Sequence, residues 1–319
     1  MKALITGGAG FIGSNLADRL LQDGHSVVVY DNLSTGHIKN FESAEKHAAY
    51  RFVNGDLLDL ASLKAAFSPD IDFVFHLAAN ADIRFGLENP RRDIDQNVLA
   101  TFNVLEAMRS SGVKNIAFSS TGSVYGEPEI HPTPEDAPFP IQTSLYAASK
   151  VSGEAFVQAY ATGYGFNCYI FRFVSVMGER YSHGHIFDFY KKLKDDPSKL
   201  DVLGDGNQRK SYLYVQDCVS AILTAIEKSK DPINIFNLGI DDSCKVTESI
   251  GWIVNELNLE PKLVFTGGKR GWVGDSPHIH LAVDKIRSLG WEPSLTIEES
   301  VRATVRWIKD NEWVLEARD

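Results

Sequence analysis

The sequence predicts an α/β fold: a doubly wound parallel sheet with a smaller α/β domain that binds substrate. Two observations predict it. Short β-rich runs alternate with longer helical patterns in the first half of the 319-residue chain, as in parallel strands joined by crossover helices. A glycine-rich loop also separates the first β-rich run from the first helical pattern. The length suffices for two domains.

The β-rich runs define the expected main sheet. Ile12, Leu16 and Leu20 recur every four residues and predict a helix after the first strand. Later runs at Ser211–Val215 and Ile233–Leu238 are able to return to the same sheet. Six strands are expected before them: Lys2–Thr6, Ser26–Tyr30, Arg51–Val53, Asp72–His76, Asn115–Ser119 and Asn167–Phe173.

The expected division follows from this rhythm. Residues 1–173, with a returning segment at about 212–239, form the first domain. Residues 174–211 and 240–319 form the second, smaller domain. We expect the functional site in the cleft between them, where ligand sites commonly occur.

Composition and charge exclude several classes of protein. Hydrophobic residues make up 44% and charged residues 23% of the chain, which argues against a disordered, collagen-like or coiled-coil protein. A net charge of −10 argues against a general nucleic-acid binder. Three scattered cysteines make neither a disulfide framework nor a zinc motif. No apolar run reaches the ~18 residues of a membrane span, so we expect a cytoplasmic protein without membrane contact or metal.

Gly7, Gly10 and Gly13 follow the first strand in a G-x-x-G-x-x-G pattern. The first glycine permits a tight turn, the second lets backbone approach a pyrophosphate, and the third allows close packing of helix on strand. Asp31 ends the second strand, where a carboxylate accepts hydrogen bonds from an adenosine ribose and repels a 2′-phosphate. The pattern predicts a Rossmann-type site for NAD. Asp56 either contacts the adenine or caps a helix.

Tyr146 and Lys150 open a later helical pattern, and Thr121 follows the fifth strand. At positions i and i+4, the phenol and the ammonium share one helix face. The ammonium, together with the positive charge of oxidised nicotinamide, would lower the phenol pKa from ~10 towards neutrality. Tyr146 is then able to act as a general base, and Thr121 would help to hold the reacting alcohol.

These motifs resemble the extended short-chain dehydrogenase/reductase family, specifically its NAD-dependent nucleotide-sugar epimerases and dehydratases. Matching segments follow one another along nearly the whole chain, namely Thr6–Ser14, Asp31–Ser34, His76–Ala79, Asn97, Tyr146–Lys150 and Gly204–Gly206. The resemblance implies bound NAD, with Asn97 supporting the core behind the catalytic tyrosine. The implied cofactor-binding residues are Gly7, Gly10, Phe11, Ile12, Gly13, Asp31, Asn32, Ser34, Asp56, Leu57, Leu77, Ala78, Ala79, Asn97, Ser119, Tyr146 and Lys150.

The second half of the chain resembles the UDP-glucose 4-epimerase subgroup of that family. The sequence departs from many relatives, which have Asn at Ser175 and Arg-Asp at Lys210-Ser211. Guanidinium and ammonium groups suit a diphosphate. The substrate-binding residues that the resemblance implies are Thr121, Ser123, Tyr146, Ser175, His185, Gln208, Arg209, Lys210, Arg270 and Asp275.

The reaction that the resemblance implies is 4-epimerisation. Tyr146 takes the proton of the sugar 4-hydroxyl while C4 loses a hydride to NAD, and both return after the 4-keto sugar has turned over. UDP-glucose and UDP-galactose are the first expected substrates, and UDP-glucuronate or a UDP-N-acetylhexosamine is the alternative. Relatives form dimers through the helices near 92–111 and 145–162, so a homodimer is expected.

Two other functions remain open at this stage. Dehydratases of the family have Asp-Glu directly after the catalytic threonine, where this chain has Gly122 and Ser123. A dehydratase would therefore need a carboxylate from elsewhere, such as Glu127. A non-catalytic NAD-binding protein is the second alternative, although such a protein would be expected to have lost Tyr146 or Lys150.

Overall fold

The structure is a computed structural model that describes residues 1–138, 141–271 and 276–317, apart from the side chains of Arg84 and Phe85. The chain forms two compact units. The first contains Met1–Val124, Ser144–Arg172 and Ile222–Phe236. The second contains Tyr125–Thr143, Phe173–Ala221 and Asn237–Asp319.

The strands alternate with helices through the first half of the chain, as the sequence predicts. The described strands are β1 (Lys2–Thr6), β2 (Ser26–Asp31), β3 (Tyr50–Asn54), β4 (Phe73–His76), β5 (Asn115–Thr121), β6 (Asn167–Phe173), β7 (Ser175–Met177), β8 (Lys199–Val202), β9 (Arg209–Lys210), β10 (Tyr212–Tyr214), β11 (Ile233–Leu238), β12 (Cys244–Lys245), β13 (Lys262–Phe265) and β14 (His278–Ile279).

Helices connect these strands. The described α-helices are α1 (Phe11–Gln22), α2 (Leu60–Ala66), α3 (Ile83–Glu88), α4 (Pro90–Asp93), α5 (Ala100–Ser111), α6 (Leu145–Tyr164), α7 (His185–Asp195), α8 (Val215–Lys228), α9 (Val246–Leu257), α10 (Asp284–Arg287) and α11 (Ile297–Asp310). A π-helix (Ile94–Leu99) precedes α5, and a 3₁₀ turn (Gly122–Tyr125) follows β5. No helix in the described ranges has both the length and the hydropathy that a bilayer crossing demands.

Seven of the described strands form the main sheet in the order β11-β6-β5-β4-β1-β2-β3. β1 pairs in parallel with both β2 and β4, so the strand order reverses direction beside β1. The six expected strands of the first half are confirmed, with some ends shifted by one or two residues. The return of Ile233–Leu238 to this sheet is also confirmed. The sheet is the Rossmann-type doubly wound sheet that the sequence predicts.

The prediction that Ser211–Val215 returns to the main sheet is wrong. Tyr212–Tyr214 pairs in parallel with Ser175–Met177 in a separate two-stranded sheet. β7 begins two residues beyond the end of β6, where the chain has left the main sheet. β10 pairs with the edge of β7. An apolar run alone does not indicate which of two neighbouring edges it will pair with.

The proline-rich segment Tyr125–Thr143 belongs to the second unit, whereas the sequence-based division assigned it to the first. Thr133 explains this placement. Its N–H donates to the carbonyl of His280, and its carbonyl accepts from the N–H of Ala282. The segment is thus bound to the strand-like backbone around β14.

The core of the first unit lies between the sheet and its helices. Leu4, Val74 and Ile116 come from neighbouring strands and are fully buried. Val104 and Val157, from α5 and α6, pack in the same cluster. Parallel strands are covered on both faces, which explains why their sequences are nearly continuous apolar runs.

Candidate active site

The glycine loop packs tightly against the end of β4. Gly7 has φ of +73°, and a Cβ there would lie 2.5 Å from the backbone nitrogen of Ala78. A Cβ at Gly13 would lie 2.3 Å from the carbonyl oxygen of Gly7. Neither position tolerates a side chain. At Gly10, by contrast, a Cβ would meet only the Gly7 oxygen, at 3.2 Å, so this side of the loop is open.

The N-terminus of α1 carries no compensating side chain. Its N-cap is Gly10, which makes no side-chain hydrogen bond, and its first turn contains no acidic residue. A helix N-terminus carries a partial positive charge from its first amide groups. Together with the open side at Gly10, this end fits the pyrophosphate of a dinucleotide.

Asp31 holds the glycine loop to the end of β2. Its two carboxylate oxygens accept hydrogen bonds from the N–H of Ala9 at 3.0 Å and of Leu33 at 2.8 Å. Burial raises the pKa of Asp31, and these two hydrogen bonds oppose the rise. The carboxylate therefore lies where the sequence predicts, and it shapes the loop as well.

The helix-cap alternative for Asp56 is wrong. The N-cap of α2 is Asp59, which accepts from the N–H of Ala61 and of Ser62. Asp56 instead accepts from Leu58 N–H at 2.8 Å and from the Asn32 side chain at 3.2 Å. The Asn32–Asp56 bond brings together two of the predicted cofactor-binding residues.

His76, at the end of β4, is a buried neutral histidine. Its two ring nitrogens lie 2.7 Å from Thr6 Oγ1 and 2.9 Å from Thr101 Oγ1. Burial, with a further contribution from Lys150, lowers its pKa to about 3. His76 joins three elements just before Leu77–Ala79, which the sequence predicts to line the cofactor.

Tyr146 and Thr121 are brought together across the ends of α6 and β5. A side-chain hydrogen bond joins them and lowers the pKa of Tyr146. Thr121 Oγ1 also accepts a hydrogen bond from the N–H of Ser123 at 3.1 Å. The arrangement unites the two hydroxyls that the sequence singles out.

The expected fall in the pKa of Tyr146 requires bound NAD and stays a prediction, and without the cofactor the pKa is raised. Desolvation raises the pKa to about 12, the hydrogen bond from Thr121 opposes the rise, and the negative charge of Asp93 adds to it. The expectation combined Lys150 with a charged nicotinamide. Within the protein, removal of the phenol from water outweighs the groups that favour phenolate.

Lys150 is almost fully buried, with 2% of its surface exposed. Its ammonium donates to the carbonyl of Ser119 at 2.8 Å and lies 5.1 Å from the centre of the Phe118 ring. Burial lowers its pKa to about 7, and the negative charges of Glu154 and Asp93 oppose that fall. Lys150 thus depends on buried carboxylates to remain protonated.

A buried ion pair that no sequence motif indicated lies beneath α6. Arg172 Nη2 lies 2.8 Å from Glu154 Oε2, and both side chains are nearly inaccessible. Ser120 donates a further short hydrogen bond to Glu154. The available signal was the single arginine inside the apolar run that forms β6, because an unpaired charge there would be costly.

Hydrogen bonds connect Asn97 to the backbone of Tyr146 through Ser149. Its Nδ2 donates to Ser149 Oγ at 2.8 Å, and Ser149 Oγ donates to the carbonyl of Tyr146 at 2.7 Å. Asn97 stands in the π-helix, a rare element that is often found at functional sites.

The remaining predicted substrate residues lie in the second unit. Ser175 is exposed at the start of β7. His185 Nε2 lies 2.7 Å from Ser249 Oγ. Burial, with the charge of Lys210, lowers the pKa of His185 to about 3, so it is neutral near pH 7.

Three of these residues are contiguous at β9, which runs between β12 and β14. Gln208 is buried. Arg209 donates to the carbonyl of Ser243 at 2.7 Å, and Lys210 makes a short hydrogen bond to the carbonyl of Ser276. Arg209 and Lys210 are consecutive residues of one strand, and a backbone carbonyl of a different neighbouring segment holds each side chain.

Arg270 forms an ion pair with Glu127 at 2.6 Å, with both side chains partly exposed. The guanidinium holds the pKa of Glu127 below its usual range. No sequence motif indicated the ion pair between Arg270 and Glu127. Asp275 lies outside the described residues.

The rest of the described chain offers no other obvious chemistry. No group of three or more His, Cys, Asp or Glu side chains in these ranges is arranged to hold a metal ion. Cys168, Cys218 and Cys244 are free thiols, and burial raises the pKa of each. They are therefore inert as nucleophiles near neutral pH.

The chain matches a known family over most of its length. Residues 3–239 match the sequence profile of the NAD dependent epimerase/dehydratase family. A putative UDP-glucose 4-epimerase of Methanocaldococcus jannaschii is 35% identical over 314 residues, which cover 97% of this chain and 98% of that protein. A mouse (Mus musculus) dTDP-D-glucose 4,6-dehydratase is 31% identical over 321 residues, covering 97% and 89%.

Solved structures show the same similarity. A UDP-galactose 4-epimerase is 38% identical, with a TM-score of 0.88 over 98% of this chain and 100% of that one. A UDP-glucuronic acid 4-epimerase from Bacillus cereus, solved with UDP-glucuronic acid and NAD, is 28% identical, with a TM-score of 0.88 over 98% and 100%.

Proposed function

The chain belongs to the NAD-dependent epimerase/dehydratase family, and from that premise we propose that it is a UDP-sugar 4-epimerase, an isomerase, with UDP-glucose and UDP-galactose as its substrates. The hydrogen bond between Thr121 and Tyr146 carries the proposal. It sets a phenol beside a second hydroxyl, with the Lys150 ammonium one helical turn further along α6. All three residues belong to the same unit as the glycine loop.

The residues present fit NAD. The open side at Gly10 and the uncapped N-terminus of α1 would hold the pyrophosphate, and Asp31 would hold the adenosine ribose. Leu77–Ala79 and Ser119 would line the nicotinamide side. When bound, NAD exchanges a hydride with a carbinol carbon and, in its oxidised form, adds positive charge near the phenol.

Tyr146 moves the proton of the sugar 4-hydroxyl in this proposal. Thr121 orients the phenol and favours its ionised form through the hydrogen bond between them. Lys150 supplies positive charge from inside the core, where charges act more strongly than in water. The proton returns from the same phenol once the 4-keto sugar presents its other face.

Two observations favour epimerisation over dehydration. Gly122 and Ser123 follow Thr121, so the acid and base that elimination requires are missing from these two positions. Glu127, the alternative carboxylate, is paired with Arg270, and its lowered pKa makes it a poor acid. The similarity to a dehydratase makes this distinction the first one to test.

Purified protein incubated separately with UDP-glucose, UDP-N-acetylglucosamine and UDP-glucuronate, and followed by NMR at the 4-position, tests the function. An equilibrium pair of UDP-glucose and UDP-galactose is expected. Turnover of only one of the other sugars would assign the alternative substrate. A stable 4-keto-6-deoxy product would identify a dehydratase, and no turnover of any sugar would favour a non-catalytic NAD-binding protein.

The nucleotide and its diphosphate bind, in this proposal, to the second unit. Arg209 and Lys210 offer two cations from one short strand. Arg209 donates to the hydroxyl and carbonyl oxygens of Ser243, and Lys210 donates to the carbonyl of Ser276. A diphosphate is a stronger acceptor than a carbonyl, since both partners are then charged. Ser175, His185, Gln208 and Arg270 complete the proposed set, with Asp275 kept as a prediction.

We also propose a homodimer formed through the helices of the first unit. Phe102 on α5 is 39% exposed and Phe156 on α6 is 38% exposed. Their rings contact each other edge to face, with centres 6.4 Å apart. Ile94 is 49% exposed in the preceding π-helix. Such an apolar group on two adjacent helices is typical of a subunit interface. A cytoplasmic location remains a prediction.

A further inference from the structure

Asp93, the last residue of α4, is a buried carboxylate that the proposed mechanism does not use. Only 1% of its surface is exposed. Its Oδ1 accepts hydrogen bonds from the side-chain amides of Asn80 at 2.8 Å and Asn97 at 3.3 Å. Its Oδ2 is buried and has no hydrogen-bond partner among the described residues. A buried charge whose printed hydrogen bonds come from neutral amides is costly, so it calls for a reason.

The amides that hold Asp93 lead directly to Tyr146. Asn97 accepts the backbone N–H of Asn80 at 2.8 Å, and its Nδ2 donates to Ser149 Oγ at 2.8 Å. Ser149 Oγ in turn donates to the carbonyl of Tyr146 at 2.7 Å. A continuous hydrogen-bonded chain therefore runs from Asp93 to the first turn of α6.

The negative charge of Asp93 acts on two residues near the start of α6. Its carboxylate opposes ionisation of Tyr146 and supports protonation of Lys150. Arg92, on its own helix, and Lys150, on α6, are the cations that act on Asp93 itself.

The second carboxylate near Lys150 is differently placed. Glu154 is matched by the buried Arg172 at 2.8 Å, so much of its charge is already balanced. His76, another titratable neighbour of Lys150, is neutral near pH 7. Asp93 is consequently the carboxylate near Lys150 that is held by amides rather than by an arginine.

We propose that Asp93 is a positioning residue for the epimerase reaction. Through Asn97 and Ser149 its carboxylate fixes the first turn of α6, and it places a buried negative charge beside Lys150 and Tyr146. The proposal rests on the function proposed above, because it assigns Asp93 a part in setting the pH range over which Tyr146 accepts a proton.

Asp93→Asn tests the charge while keeping the shape of the side chain. Removing the negative charge lowers the pKa of both Tyr146 and Lys150. We therefore expect both limbs of the pH profile of kcat/KM to move to lower pH, by about one unit for a nearby charge. Asp95→Asn, in the adjoining π-helix, is the matched control, since Asp95 pairs with Arg91 near the surface. It should leave both limbs in place.

Thermal unfolding in the absence of sugar provides a readout that does not depend on turnover. Burial raises the folded-state pKa of Asp93 above its ordinary value of 3.8. The folded protein therefore binds this proton more tightly than the unfolded chain, and its stability falls as pH rises through that range. Asp93→Asn should lack this fall, so its stability relative to wild type should increase as the pH rises above the ordinary pKa of an aspartate. Asp95→Asn should show no such trend.

Gly86→Ala is a second variant that keeps the charge. A Cβ at Gly86 would lie 2.0 Å from Asp93 Oδ2, so the carboxylate must move. We expect kcat to fall with KM little changed. The proposal would be overturned by the following results together. In Asp93→Asn, the limbs of the kcat/KM profile and the pH dependence of stability would match those of wild type. In Gly86→Ala, kcat would be normal. A wild-type protein that turns over no UDP-sugar would instead reject the proposed function, and the unfolding trend would still report on the buried charge.

Discussion

The Lys150 ammonium donates a hydrogen bond of 2.8 Å to the carbonyl oxygen of Ser119. Ser119 lies on β5, the strand that ends with Thr121, and Lys150 lies on α6, the helix that begins beside Tyr146. The bond therefore ties the strand that presents the threonine to the helix that presents the phenol. Lys150 has an anchoring role here in addition to its charge.

Tyr146→Phe removes the hydroxyl that moves the proton. We expect turnover of the UDP-sugar to fall by about 10²- to 10⁴-fold, the usual contribution of a general acid–base group. NAD affinity and the unfolding midpoint should change little. NMR progress curves and NAD titration measure these effects, with Tyr164→Phe at the exposed end of α6 as control. Activity close to that of wild type in Tyr146→Phe would reject the assigned base.

Thr121→Val removes the hydrogen bond that lowers the pKa of Tyr146. The phenol then ionises at higher pH, so the acidic limb of the kcat/KM profile should move to higher pH. Thr121→Ser keeps the hydroxyl and should restore the limb. If valine and serine gave the same limb, Thr121 would not act on Tyr146 in this way.

Gly13→Ala places a Cβ 2.3 Å from the carbonyl oxygen of Gly7. The glycine loop must open to accommodate it, so both NAD affinity and the unfolding midpoint should fall. Gly163→Ala, in α6 with nothing within 4 Å of its added Cβ, is the control. It should be neutral or stabilise the protein by about 0.4–1 kcal/mol. Calorimetric titration measures NAD affinity, and the prediction is wrong if Gly13→Ala binds NAD as tightly as Gly163→Ala does.

Glu154→Gln leaves Arg172 buried without its counter-charge. We expect the free energy of unfolding to drop by about 3–5 kcal/mol, the typical cost of breaking a buried pair on one side. Glu154→Gln combined with Arg172→Met removes both charges and should recover part of that loss. Urea unfolding of the single and double variants measures the coupling, and strictly additive losses would show that the two charges do not stabilise each other.

Phe102→Glu places a charge in the proposed dimer interface. Because Phe102 is 39% exposed in the single chain, the change should leave the fold intact while converting a dimer into monomers. Light scattering after size-exclusion chromatography gives the mass. Ile38→Glu, which replaces an apolar residue that is 55% exposed and lies away from α5 and α6, is the control. A wild-type monomer, or a dimer that survives Phe102→Glu, would contradict the proposed interface.

Much of the fold could be predicted from local hydrophobic patterns and residue spacing. Parallel strands are covered on both sides, so β1 and β2 appear as apolar runs bounded by turns. The glycine loop has a recognisable spacing because each glycine is required for a separate steric reason. Tyr146 and Lys150 were visible because the helical repeat alone sets them one turn apart.

Contacts between distant segments were not predictable in this way. Asp93 meets Asn80, and Glu154 meets Arg172, only after the sheet and helices have packed. In the chain without NAD, burial raises the pKa of Tyr146, and the fall expected with the cofactor bound stays a prediction. Desolvation depends on every neighbour of a group, and no short motif records that sum.

By itself the sequence determined the order of the main strands along the chain, the glycine loop and the pairing of a phenol with an ammonium on one helix, because each arises from residues that are close in the chain. Tertiary structure decided that β10 joins β7, that Lys150 donates to Ser119, and that Asp93 is buried with Asn80 and Asn97 as hydrogen-bond donors. Those outcomes depend on which surfaces exclude water from one another, and that is settled only when the whole chain has packed.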